Sequence, residues 1–85
     1  MGCEMWYVYK IINKAQNYQY IGLTKNIRKR LELHNKGYTQ STKPYRPFDQ
    51  IIVIDQSLFR KDARNKEKYY KSGSGRELLK KRGVV

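Results

Sequence analysis

Cysteine is nearly absent from this chain: Cys3 stands alone among 85 residues, and His34 is the one histidine. A single cysteine cannot close an internal disulfide, and one Cys with one His cannot complete the four-ligand shell of a structural zinc. Disulfide scaffolds and zinc fingers are therefore excluded. Long hydrophobic runs are also missing, and no stretch approaches the ~20 residues needed to span a bilayer. The opening Met1, Gly2, Cys3, Glu4, Met5, Trp6 lacks the basic and apolar regions of a signal peptide, and Trp6 stands where a myristoylation pattern wants Ser or Thr. These absences point to a cytoplasmic protein without a membrane partner. Acidic residues are scarce as well: seven Asp and Glu face nineteen Lys and Arg, giving a net charge of +12 and a pI near 10.0. Such an excess without a membrane anchor points first to a polyanion, and nucleic acid is the expected partner.

The length suits one domain over residues 1–85, small enough to bury only about 60% of the surface that its unfolded chain exposes. With 39% hydrophobic residues and a mean hydropathy of −0.90, the apolar side chains must be concentrated in a few elements. Trp6 to Ile12 and Tyr18 to Leu23 are rich in the aromatic and β-branched residues that fit a pleated strand, and the polar Asn13 to Asn17 between them suits a hairpin loop. Antiparallel pairing of these runs places Tyr9 and Tyr20 on one face. A helix follows over Ile27 to Lys36, capped by Thr24 or Asn26 and stopped by Gly37. Tyr38 to Phe48, holding both prolines, reads as an ordered basic loop. Gln50 to Asp55 reads as a third strand buried on both faces, and Arg60 to Lys71 as a second helix. A last helix is predicted over Arg76 to Arg82, with Ser74 and Glu77 at capping-box spacing. The order ββαβαα gives an α+β fold, a small three-stranded antiparallel sheet flanked by helices.

Chemistry enters through the helical faces. At about 100° per residue, Arg30 and His34 fall beside Ile27 and Leu31, while Arg28, Lys29, Glu32 and Lys36 take the other side. An arginine at the margin of an apolar stripe either snorkels or addresses something anionic. Glu67 lies with Ala63 and Tyr70, away from Lys61, Arg64, Asn65 and Lys68. An inward acid needs a partner, which here is Arg30, a lysine, or a metal ion carried in by phosphate. Tyr18, Tyr69 and Tyr70 read as packing residues.

The triplet Tyr7, Val8, Tyr9, the triplet Tyr20, Ile21, Gly22 with Thr24 after it, the string Arg30, Leu31, His34, Asn35, Gly37, and the later Ala63, Arg64, Glu67, Lys68 together resemble the GIY-YIG nucleases. The likeness runs from Trp6 to about Arg82 and is nearest to the small single-domain bacterial type and the amino-terminal domain of excinuclease C. Tyr7 replaces the usual first glycine, and the last helix holds no asparagine where many members place one.

The resemblance implies a Mg²⁺- or Mn²⁺-dependent endonuclease that hydrolyses phosphodiester bonds, structure-selective or non-specific, with a role in DNA repair among its expected settings. It assigns Tyr9, Tyr20, Arg30, His34 and Glu67 to catalysis, with Glu67 as the metal ligand. A hard cation that keeps much of its hydration suits one carboxylate, and Arg30 suits the scissile phosphate because its planar fork is always charged. A second metal is not expected, since Asp55 and Asp62 read as a strand end and a helix first-turn acid. A phenol of pKa about 10 is a poor base at neutral pH unless cations lower it or it relays the proton, and His34 could supply that relay. Gly22 would allow close backbone approach beside Tyr20. Phosphate contacts are expected from Lys25, Lys43, Arg46, Lys71 and Arg76. DNA is the expected partner, with RNA left open, for a monomer or weak dimer. Two other readings share the same charge: a nucleic-acid-binding module that kept the fold and lost turnover, and an interaction domain lending DNA affinity to a larger complex.

Overall fold

The computed structural model describes residues 5–83, so Cys3 lies outside the described residues. Strands β1 (Trp6–Asn13) and β2 (Tyr18–Thr24) form the expected hairpin, in antiparallel register from Tyr7 opposite Thr24 to Asn13 opposite Tyr18. Asn17 turns the chain with a left-handed φ of 51°, a conformation that Asn tolerates better than most side chains. Strand β3 (Gln50–Ser57) pairs antiparallel with the other side of β1, so the sheet order is β2-β1-β3.

The third strand differs from expectation in two respects. It is an edge strand with Val53 45% exposed, so its apolar run is not buried on both faces. It also continues to Ser57, which puts Asp55 inside the strand rather than at its end. There the carboxylate accepts the Tyr70 hydroxyl at 2.7 Å and lies 3.3 Å from Lys66 Nζ. The register slips between Val8, opposite Asp55, and Tyr9, opposite Val53, which leaves Ile54 as a bulge beside Tyr9.

Helix α1 (Ile27–Lys36) starts at Asn26, whose side-chain oxygen accepts from the Lys29 amide at 3.1 Å. It ends at Gly37 with φ 85°, the left-handed residue whose amide returns to the His34 carbonyl at 3.1 Å. The following segment contains a 3-10 turn over Lys43–Tyr45 and is pinned by the Phe48 amide donating to Asn35 Oδ1 at 2.7 Å. Helix α2 (Arg60–Lys71) buries Ala63, Glu67 and Tyr70, the face expected from periodicity, and Asp62 sits in its first turn.

Helix α3 (Gly73–Lys81) begins earlier than predicted. Its cap is Ser72, whose Oγ accepts from the Gly75 amide at 3.2 Å, and not the Ser74–Glu77 box. The chain leaves α2 through a single extended residue and restarts at once, so Ser72 holds the cap position before Ser74 can. A Cβ at Gly75 would lie 2.5 Å from Tyr70 Cα, so glycine is needed where α3 folds back against the end of α2.

Two apolar clusters occupy opposite faces of the sheet. Tyr9, Ile11 and Phe48 pack with Ile27 and Leu31 of α1, whereas Val8 packs with Tyr70 of α2 and Leu79 of α3. Alternation along β1 thus sends Tyr9 to the α1 side and its neighbour Lys10 to the other. Tyr18 stacks flat on Tyr45 with ring centroids 3.7 Å apart, and Tyr70 is buried, as packing roles require. Tyr69 is instead exposed, touching Tyr70 edge-on.

Candidate active site

Tyr9 stands on the central strand, fully buried, at the meeting point of two other candidates. Its hydroxyl lies 2.8 Å from His34 Nε2 and accepts from Arg30 Nε at 3.0 Å. One helical turn between Arg30 and His34 is what lets α1 present both to one phenol. The far side of the imidazole, Nδ1, lies 2.9 Å from Thr42 Oγ1, and that hydroxyl donates to the Thr39 carbonyl at 3.3 Å.

The direction of each bond follows from counting hydrogens. Arg30 can only donate, so Tyr9 oxygen accepts there and its own proton is free to point at His34 Nε2. Thr42 uses its hydrogen on Thr39, so His34 Nδ1 must carry a proton and donate. The tautomer assigned by this network is Nδ1–H with an acceptor lone pair at Nε2. Burial, and then the Arg30 charge, push the His34 pKa down from 6.5 to about 4, so the ring is neutral at pH 7.

Tyr9 departs from the expectation of a cation-activated phenol. Burial pushes its pKa up, and the Arg30 hydrogen bond and charge oppose this without overcoming it. A standing phenolate is therefore not its state at neutral pH, and with His34 at about 4 the hydrogen bond to Nε2 orients the hydroxyl rather than ionising it.

Tyr20 shares the face with Tyr9, as the hairpin register requires, but it stands on the edge strand and is half-exposed. Its ring meets His34 edge-on at 5.6 Å, and Lys71 Nζ of α2 lies 5.4 Å from its centroid. It thus bridges the α1 side of the sheet and the α2 helix.

Glu67 is 6% exposed, with Oε2 3.3 Å from Lys71 Nζ and Oε1 3.9 Å from Arg64 Nη1. Oε1 is buried and makes no hydrogen bond among the described residues. A buried carboxylate oxygen left without a donor is costly, and a cation is one group that would satisfy it. Among the described residues no three metal-type ligands cluster, so a cation at Glu67 would have few protein ligands and water would complete most of its shell.

The other expected contact residues have diverse settings. Lys71 and Arg76 line one cleft beside Tyr20. Lys43 is exposed at the start of the 3-10 turn. Arg46 donates from Nη1 to the Lys36 carbonyl at 3.1 Å, which places it at the C-terminus of α1. Lys25 Nζ lies 4.8 Å from the Trp6 ring centroid, with Arg60 5.6 Å from the same ring. Gly22 seats Tyr9: a Cβ there would stand 2.6 Å from Tyr9 Cζ, so the space is taken by the phenol rather than left open beside Tyr20.

Two residues escaped the sequence reading. Thr42 fixes the imidazole tautomer from a loop without periodicity, where Thr39 and Ser41 offer the same chemistry. Lys10 is only 4% exposed; alternation gives its face, but not how completely α2 and α3 cover it.

The GIY-YIG catalytic domain family model matches residues 5–81. The chain belongs to the GIY-YIG family, a class defined by nuclease-type chemistry on nucleic acid. No curated protein and no solved structure matches it, so the assignment reaches the family and no particular member.

Proposed function

We propose that this protein is a metal-dependent DNA endonuclease that hydrolyses phosphodiester bonds, with structure-selective or sequence-independent substrate choice. The observation that carries the reading is convergence: Tyr9 of β1 is hydrogen-bonded to Arg30 and His34 of α1, Tyr20 of β2 meets the same imidazole edge-on, and Lys71 of α2 links the Tyr20 ring to Glu67. Family membership supplies the reaction class.

Hydrolysis needs a positioned water, a route for its proton, and neutralisation of the charge on the phosphate. Arg30 spends Nε on Tyr9, which aims the rest of its guanidinium and leaves the Nη groups for a phosphate. Tyr20, the phenol with access to solvent, meets the water. Tyr9 is the inner positioning group, its hydrogen directed at His34 Nε2 and its oxygen holding Arg30 in place. Thr42 keeps the imidazole in the accepting tautomer. Glu67 would hold Mg²⁺ or Mn²⁺, which when bound supplies positive charge to the phosphate and the leaving oxygen.

The test is conversion of supercoiled plasmid to the nicked form with Mg²⁺ or Mn²⁺, beside Glu67→Ala and an EDTA control. Nicking that disappears in both controls supports the reading. Binding without cleavage by wild type, persisting with branched and single-stranded substrates, overturns it in favour of a binding module. That second reading has one observation behind it: Lys71 Nζ already sits on Glu67 Oε2, an ion pair that could replace a metal. One active site should nick one strand per encounter, so a double-strand cut would require a dimer or sequential events.

A further inference from the structure

A cleft of about 530 Å³ adjoins the site where the β2 edge faces α2 and α3. Tyr20 and Lys71 belong to both. Lys10, Lys71, Arg76 and Lys80 contribute four cations to its lining, and no carboxylate is among the lining residues. Lysine is rarely buried, yet Lys10 is 4% exposed here, and burial lowers its pKa. Glu67 offsets one of the four through its ion pair with Lys71, and the remaining excess gives the concavity a positive potential that attracts an anion.

A phosphate alone does not account for the rest of the lining. The volume lies in the range of small-molecule sites and exceeds what one phosphate group fills. Half-buried Ile21 gives it an apolar surface over the buried Leu79, and Tyr20 is also among the lining residues. Asn17 and Gln19 add side-chain amides, each with both donors and an acceptor. Cations, an apolar surface and amides in one cleft match the three parts of a nucleotide: its phosphate, the face of its base, and the base edge.

Resting on the nuclease reading, we propose that this cleft receives one unpaired nucleotide of the substrate strand, next to the scissile phosphate. Its phosphate is held by Lys71, Arg76 and Lys80 with Lys10 adding charge from the wall. Its base lies against Ile21, with its edge toward Asn17 and Gln19. A base stacked and paired within a duplex cannot enter, so strands with an unpaired nucleotide at this position are the favoured substrates.

The test is fluorescence anisotropy in EDTA, where turnover does not intervene. The probes are a labelled thymidine 12-mer, an abasic strand of equal length, and a 12-base-pair duplex. Wild type should bind the thymidine strand about tenfold more tightly than the abasic strand, the scale of one or two well-placed bases. Gln19→Ala should shrink that ratio, and Arg76→Ala should weaken both strands alike; both positions are exposed, and melting curves would report any loss of fold. Equal affinity for the thymidine and abasic strands overturns the proposal, as does a ratio unchanged by Gln19→Ala. Tight strand binding with no cleavage of plasmid, branched or single-stranded substrates in Mg²⁺ or Mn²⁺ removes the nuclease reading but leaves the cleft assignment standing. Failure to bind any of the three probes removes both.

Discussion

His34 Nε2 and the Tyr9 hydroxyl lie 2.8 Å apart inside the protein, both side chains closed off from solvent. Neither exchanges protons readily with bulk water, so what they do to each other is set by Arg30 on one side and Thr42 on the other.

Tyr9→Phe keeps the ring that fills the space above Gly22 and removes only the hydroxyl. Plasmid nicking should fall by on the order of 10²-fold, the scale of a misplaced catalytic group, because Arg30 loses the oxygen that holds it. Far-ultraviolet circular dichroism should remain that of the wild type. Undiminished nicking would remove the Tyr9 hydroxyl from the positioning of Arg30.

The depressed His34 pKa predicts a pH-dependent stability. The neutral ring is favoured in the folded state, so this contribution is complete above the unfolded value near 6.5 and is lost as pH falls toward the folded value of about 4. At pH 4 the loss attributable to His34 is about 3 kcal/mol, at roughly 1.4 kcal/mol per pKa unit. Urea melts at pH 7 and pH 4, run beside His34→Gln, isolate this from the carboxylates. The variant should lose markedly less stability over that interval than the wild type.

Gly22→Ala tests the seating of Tyr9. The new Cβ would stand 2.6 Å from Tyr9 Cζ, and the buried ring has nowhere to retreat. Destabilisation of about 1–3 kcal/mol is expected from overpacking of this kind, together with loss of nicking as the hydroxyl leaves Arg30 and His34. Denaturant midpoints and plasmid assays on the same preparation would show whether the two losses travel together.

Glu67→Gln preserves the shape of the side chain and removes its charge. Mn²⁺ binding followed by electron paramagnetic resonance should disappear, and nicking with it, while Lys71 is released from its ion pair. Retained Mn²⁺ affinity would place the metal elsewhere.

Much of this site was legible because periodicity carries over to tertiary position when a helix or strand packs by one face. Arg30 and His34 share the apolar stripe of α1, Ala63, Glu67 and Tyr70 share the buried face of α2, and alternation put Tyr9 and Tyr20 together. Legibility stopped where neighbours decide. The run Ile51 to Ile54 looked like a central strand, but sheet order made it an edge. Ser72 preempted Ser74 because the chain restarts its helix after a single residue. Thr42 reaches His34 only through the path of an aperiodic loop. Arg46 looked like a phosphate contact, and the exposed carbonyl ending α1 lies within its reach.

The sheet order also bears on how the protein assembles. Strand β1 pairs with β2 across a short hairpin, but it must wait for β3, from the second half of the chain, to complete its other edge. Local pairing closes quickly, whereas distant pairing must first overcome loop entropy and is slow. During synthesis, therefore, the tyrosines are arrayed early on a half-finished sheet, and Glu67 arrives last, on a helix that has to dock against it. On the nuclease reading proposed above, cutting power would be withheld from the nascent chain until the fold is nearly closed.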